Sequence, residues 1–304
     1  MRRVLLTVHV ARPEAARVVT GFARELQAAG IEVRVVETEL PALIKQGAVD
    51  LVPVEARPGA AADCELAVVF GGDGTILRTA ELCRGTGTAV LGVNLGHVGF
   101  LAEADVEDLH EIAARVIAGD LEVEERLTVD VVVSVGGEVI AHNWALNEAT
   151  VEKASRERML EAVVEIDDRP VSRWGCDGVV CATPTGSTAY NFSAGGPIVW
   201  PEVSALLMVP ISAHALFARP LVVSPDSTLA IEIVGETSTG VLWCDGRRAA
   251  EVPIGARIEV SRGAEPVRLA RLHAAPFADR LVRKFELPVA GWRGAAERRR
   301  EERG

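Results

Sequence analysis

The chain has 304 residues, 49% of them hydrophobic and 25% charged. That is enough to build two ordinary cores, and too apolar for a disordered or disulfide-stapled chain. With 43 acidic residues against 32 lysines and arginines, the formal net charge is −11, the wrong sign for a surface that grips nucleic acid. Lys45, Lys153 and Lys284 are the only lysines and none follows a glycine, so the P-loop GxxxxGK[ST] cannot be written, and the VAIK lysine of protein kinases is missing too.

In chain order, the first 120 or so residues alternate strand and helix. Residues 4–10 form a β-branched run suited to a strand buried on both faces. Residues 14–29 carry a helical stripe (Val18, Val19, Phe22, Leu26) closed by Gly30. Strands follow at 31–38, 66–70 and 89–94, with a helix predicted over 76–83; Asp105, with Asp108, is placed to cap a helix ending before Gly119. This rhythm predicts an α/β domain over 1–125 with a doubly wound parallel sheet, whose ligands collect at the carboxyl ends of the strands.

After Glu125 the pattern becomes short alternating runs separated by Gly136-Gly137, Asp167-Asp168, Asp245-Gly246 and Arg262-Gly263. An all-β, sandwich-like domain is predicted over 126–275, then an amphipathic helix within 276–290 and a frayed tail over 291–304. Cys64, Cys83, Cys176, Cys181 and Cys244 include no CxxC pair and read as small buried hydrophobes in a reducing compartment. The N-terminal apolar run is short for a signal, and the uncharged stretch 203–218 contains Pro210 and falls below the ~20 residues needed to span a bilayer. A soluble, cytoplasmic protein with neither membrane nor nucleic-acid partner is expected.

The predicted strand 66–70 runs into Gly71-Gly72-Asp73-Gly74-Thr75. A glycine-rich exit from strand to helix leaves unpaired N–H groups beside the positive end of the helix dipole, and glycines admit positive φ and a close phosphate. Rossmann spacing fails, because Leu77 stands where the third glycine belongs. An acid among phosphates needs a task. Asp73 is read as a proton acceptor for an attacking hydroxyl, with a contact to Mg²⁺ as the alternative. Arg78, on the following helix, is the best placed arginine to assist at the phosphates. A second glycine-rich exit, 92–103, carries Phe100 as a candidate base platform and His97 as a structural histidine.

These blocks resemble the NAD kinase family. The resemblance is carried by GGDGT at 71–75, GVNLGHVGFLAE at 92–103, NEATVEK at 147–153, DGVVCATPTGSTAYNFSAGGPIV at 177–199 and ISAHALFARPLVV at 211–223. It implies transfer of the terminal phosphoryl group of ATP, or of polyphosphate in some members, to the 2′-hydroxyl of NAD's adenosine ribose. A divalent cation, usually Mg²⁺, is required. The resemblance makes Asp73 the proton acceptor and Gly74 its neighbour in the NAD site, and sets Phe100 against the adenine. It assigns Asn147 and Glu148 to the ribose, Asp177 to the nicotinamide half, and Thr188, Ala189, Tyr190, Asn191, Phe192 and Ser193 to the loop around adenosine. Gly71, Gly72, Gly74 and Thr75 would cradle donor phosphates. It further implies a homodimer or homotetramer, and a final helix folded back on the first domain. Gly175, where many members carry a larger polar side chain, suggests acceptance of NADH; its alternative reading is a turn after Trp174. The competing functions are a lipid kinase sharing only the GGDGT turn and a non-catalytic NAD(P) sensor.

Overall fold

The computed structural model describes residues 1–9, 13–95, 99–102, 104–105, 109–235, 239–272 and 276–289. His97 and Asp108, like the predicted tail, lie outside them. The chain forms two compact units, one from residues 1–124 together with 268 onward, the other from 125–267.

In the first unit the chain runs β1 (Arg3–Val8), α1 (Pro13–Ala28), β2 (Glu32–Val36), α2 (Leu40–Lys45), β3 (Val52–Val54), β4 (Leu66–Phe70), α3 (Asp73–Cys83), β5 (Ala89–Asn94), β6 (Ala104–Asp105), α4 (Leu109–Ala118) and β7 (Glu122–Arg126). β1 pairs in parallel with both β2 and β4, so strand order reverses there, along β3-β2-β1-β4-β5. Alternation sorts the strands' two faces. Val4, Leu6, Val8, Val68 and Phe70 share a core with Val19, Phe22 and Leu26 of α1 and with Ile112 and Val116 of α4. On the opposite face, Thr7 of β1 shares a hydroxyl hydrogen bond of 2.7 Å with Thr79 of α3. Helices cover both faces, as a doubly wound sheet requires.

Asp105 pairs with Asn94 as part of β6, a strand the sequence reading did not place there. The helix predicted from residue 76 starts at Asp73, since Gly72 is the extended cap residue (φ −91°, ψ −174°).

The second unit continues with β8 (Val129–Val135), β9 (Glu138–Ala145), β10 (Glu148–Lys153), β11 (Leu160–Ile166), β12 (Arg169–Cys176), β13 (Gly178–Ala182), α5 (Tyr190–Ser193), β14 (Leu206–Ile211), β15 (Leu221–Val223), β16 (Leu229–Ile233), β17 (Gly240–Cys244), β18 (Arg248–Val252) and β19 (Ala256–Arg262). Two six-stranded antiparallel sheets form, ordered β15-β14-β13-β10-β17-β18 and β12-β11-β16-β19-β8-β9. Their inner faces share one core that includes Val131, Val164, Trp174, Ile231 and Leu242, a β-sandwich. Three hairpins turn on two residues of positive φ each, Gly136-Gly137, Asp167-Asp168 and Asp245-Gly246, the geometry that matches strand twist.

β20 (Val267–Arg271) then pairs in parallel with β5 through Leu269 and Val90. The return to the first unit therefore precedes α6 (Phe277–Phe285), whereas the sequence reading placed it at the helix. α6 does fold back on that unit, with the rings of Phe277 and Phe285 lying 6.0 and 5.7 Å from that of Phe100. All five cysteines are buried and unpaired. No helix among the described residues is long and apolar enough to cross a membrane.

Candidate active site

In the first unit the site is built at the strand-order reversal, where β4 exits into α3. The amides of Gly72, Asp73 and Gly74 donate to no described residue, and among the described residues no atom beyond the chain neighbours and the helix's own backbone lies within 4 Å of where a Cβ would stand on Gly72 or Gly74. None of Gly71, Gly72 and Gly74 adopts positive φ, so the expected use of glycine for backbone reversal is not what is found. Gly72 and Gly74 leave open space above a helix N-terminus, which an anion can approach closely, whereas a Cβ on Gly71 would collide with the Thr75 side chain. Thr75 is buried beneath the turn.

Asp73 is the first residue of α3, and both of its oxygens are held. Oδ2 accepts the Phe100 amide and Oδ1 the Leu101 amide, each at 3.0 Å. A Cβ on Gly99 would collide with this carboxylate, which is why the second glycine-rich exit approaches it through a residue without a side chain. Each carboxylate oxygen retains a further lone pair for a hydroxyl proton. The Arg78 guanidinium, one helical turn beyond Gly74, forms a 2.7 Å ion pair with Glu39. Glu39 is buried and also accepts the Val8 amide at 2.9 Å. Burial raises the Glu39 pKa, against the downward pull of Arg78 and of that amide.

In the second unit Asn147 directly precedes β10 and Glu148 opens it. Asn147 spends its backbone carbonyl on the Thr183 amide at 2.9 Å, and its backbone N–H on Asp245, while its carboxamide makes no hydrogen bond to a described residue. Glu148 is 6% exposed, and its Oε2 is buried without a hydrogen-bond partner. Burial first, then the neighbouring Asp245 charge, push its pKa up to about 8, with the Tyr190 amide pulling the other way. A carboxyl protonated at neutral pH and short of a partner is poised for a ligand hydroxyl.

Glu148 lines a cavity of about 310 Å³ with Thr150, Glu152, Tyr190, Trp243 and Gly246. Four of these, Thr150, Glu152, Trp243 and Gly246, were not among the site residues expected from sequence. A signal was present, because Glu148, Thr150 and Glu152 alternate along β10 and so share one face. Asp245 was read only as a turn residue. It accepts the Leu146 amide at 3.0 Å, the Asn147 amide at 2.7 Å and the Arg248 guanidinium at 2.7 Å, and thereby sets the start of β10.

The residues of the loop 183–193 divide in two by exposure. Thr183 and Ser187 spend their hydroxyls on the backbone of Leu146 and Val199. Gly186 lies so close to Asn147 that a Cβ would strike its carbonyl. Asn191 is fully buried, its carboxamide donating to the carbonyls of Ser187 and Pro197. It holds the loop from within. Thr188 and Ala189 are half-buried, and Tyr190, Phe192 and Ser193 are exposed. Asp177 pairs with Lys153 at 2.5 Å, which leads the causes that lower its pKa. Gly175 lies in β12 opposite Glu161, not in a turn, and a side chain there would meet only Met159 at 3.5 Å. Among the described residues no group of three or more His, Cys, Asp or Glu gathers to hold a metal ion.

Comparison with known proteins agrees with this geometry. Residues 4–121 match the family model of the ATP-NAD kinase N-terminal domain, and residues 146–272 that of the ATP-NAD kinase C-terminal domain. The chain is 61% identical to NAD kinase 2 of Streptomyces avermitilis over 97% of both chains. It is 60% identical to the NAD kinase of Thermobifida fusca, over 98% of this chain and 93% of that one. Its fold is that of yeast NADH kinase complexed with NADH (TM-score 0.85, 23% identity, 95% of this chain and 88% of that one). It is also that of an Archaeoglobus fulgidus NAD kinase in complex with ATP (TM-score 0.71, 24% identity, 94% and 100%). Two family models that together span most of the chain, and relatives of about 60% identity over nearly its whole length, lead to one conclusion: the chain is an enzyme of the NAD kinase family.

Proposed function

We propose that this enzyme transfers the terminal phosphoryl group of ATP to the 2′-hydroxyl of the adenosine ribose of NAD, giving NADP and ADP. The observation that carries the reading is Asp73, held by two amides at the head of a helix whose first N–H groups are open. The 2′-oxygen attacks the γ-phosphorus, the bond from that phosphorus to the β–γ bridging oxygen breaks, and the hydroxyl proton passes to the Asp73 carboxylate. A ribose hydroxyl is a weak nucleophile at neutral pH, so a placed base and in-line positioning carry the rate.

The open amides of residues 72–74 hold donor phosphates and absorb developing charge, with Gly71 and Thr75 shaping the turn and Arg78, aimed by Glu39, as a further cation. Asn147 and Glu148 hydrogen-bond the ribose hydroxyls. Tyr190 lines the adenosine cavity, and Thr188, Ala189, Phe192 and Ser193 edge it; Phe100 packs on the adenine with the half-buried remainder of its ring. Asp177, held by Lys153, meets the nicotinamide half. Mg²⁺, when bound, would be carried by the donor phosphates and would screen their charge. Both Asp73 oxygens are engaged by amides, which suits an ion carried by substrate phosphates and screening their charge.

Gly175 supports acceptance of NADH beside NAD, and polyphosphate is a second candidate donor. Five reduced thiols suit the cytoplasm. Exposed Leu216, Phe217 and Trp200 suit assembly into a homodimer or homotetramer. The test is an NADP(H)-formation assay pairing ATP or polyphosphate with NAD or NADH, with and without Mg²⁺. Formation of NADP from ATP and NAD is expected; dinucleotide binding without phosphorylation by any donor would favour a sensor.

A further inference from the structure

The clasp on Asp73 continues beyond its two amides. The Leu101 N–H that meets Asp73 Oδ1 belongs to the same peptide unit as the Phe100 carbonyl. That carbonyl accepts Nη1 of Arg280 on α6 at 3.1 Å, from 180 residues away in sequence. One peptide group thus lies in line between a guanidinium and the carboxylate. The Leu101 carbonyl accepts Nη1 of Arg271 on β20 at 3.3 Å, and Arg271 is buried and paired with Glu124 at 2.5 Å. Phe277 and Phe285 of α6 pack on the Phe100 ring. Both residues whose amides hold Asp73 therefore have their carbonyls held by arginines of the returning C-terminal segment.

We propose that Arg280 is a positioning residue for Asp73, acting through the Phe100–Leu101 peptide. This rests on the reading of Asp73 as the proton acceptor. A cation on a carbonyl polarises the peptide and strengthens the hydrogen bond that its N–H donates. The effect here is to fix the angle of the carboxylate, and the three phenyl rings keep the peptide from sliding. Gly99 leaves no room for the carboxylate and a side chain together, so a loosened clasp has no equivalent geometry to fall into. Misplacement of a reacting group by about 1 Å can cost 10²-fold in rate, which is the scale on which a distant helix matters.

The test uses the full chain with Arg280→Ala, Arg280→Lys and Arg280→Gln, and Arg283→Ala on the same helix as control. Turnover is measured with NAD and ATP, and native-state hydrogen exchange is followed at the Phe100 and Leu101 amides of the free protein. Arg280→Ala is expected to lower kcat about tenfold or more while both KM values stay within about twofold, and to speed Leu101 exchange about tenfold. Lysine is expected to restore both readouts to within about threefold, and glutamine, which donates without charge, to fall between. Should Arg280→Ala fail to fold, the lysine and glutamine pair decides alone: equal kcat in the two removes the role of charge. A kcat within twofold of the native value in Arg280→Ala overturns the proposal whatever exchange does, as does an equal loss in Arg283→Ala. If the native chain phosphorylates no dinucleotide, the kinase reading fails, while unchanged exchange at Leu101 would separately sink the clasp.

Discussion

Asp73 and Asp245 do the same thing to the backbone in two different units, and their surroundings make them opposites. Each accepts two consecutive amides, Phe100 and Leu101 in one case, Leu146 and Asn147 in the other. Asp73 is half-buried beside an unhindered turn at a helix N-terminus. Asp245 is buried, salt-bridged to Arg248, and has its pKa raised mainly by desolvation. The counterpart of Asp245 in the first unit is Glu39, equally buried and paired with a quarter-exposed arginine. An amide clasp therefore does not make a carboxylate reactive. It fixes an angle, and exposure decides whether the group meets substrate or organises its neighbours.

The largest effect should come from Asp73→Asn, which keeps the shape and removes the proton acceptor. The proposed chemistry predicts a kcat loss on the order of 10²–10⁴ with the KM for NAD within a few-fold; near-normal turnover would make Asp73 merely structural, like Asp245. Asp245→Ala should leave kcat secondary to folding. It strands two buried amides and a largely buried arginine, and should destabilise by about 3–5 kcal/mol in urea unfolding. A loss under 1 kcal/mol would show that β10 holds its start without the clasp.

Glu148→Gln probes the burial of Glu148 and, after it, the field of Asp245. The native pKa lies near 8 and the unfolded value near 4.3, so between them the unfolded state releases a proton that the folded state keeps. Stability from this group is therefore lost as pH rises through that window, by about 1.4 kcal/mol per unit at most. The glutamine variant should gain on the native chain from pH 5 to 8 in denaturation midpoints, and a constant gap would break the assignment. The smallest effect is expected from Arg78→Ala, a several-fold rise in KM for ATP with KM for NAD unchanged. Equal shifts in both would reduce the Glu39–Arg78 pair to a purely structural ion pair.

Much of the frame was legible because it is written locally. The strands Leu66–Phe70 and Ala89–Asn94, the helix Phe277–Phe285 and the three two-residue hairpin turns follow from apolar period and turn chemistry, and the structure has them at those positions. Short edge elements escaped. α2 is a six-residue helix and β3 a three-residue strand containing Pro53, too brief for either period to register. The membership of β20 escaped for another reason. Its residues Val267–Arg271 fall within the stretch 126–275 predicted as the β domain, yet they pair in parallel with β5, and partner choice is not encoded in a segment's own pattern.

For the site, sequence alone determined the family and supplied a glycine-rich turn and a set of polar side chains as candidates, since these depend on residue type and near-neighbour spacing. Tertiary structure alone decided what those groups do. It turned Asn191 inward, gave Arg78 to Glu39, set Trp243 beside Glu148, and put Arg280 behind the peptide that holds Asp73. The physical reason is that burial, partner and angle arise from contacts between residues tens to hundreds of positions apart, and no local pattern records them.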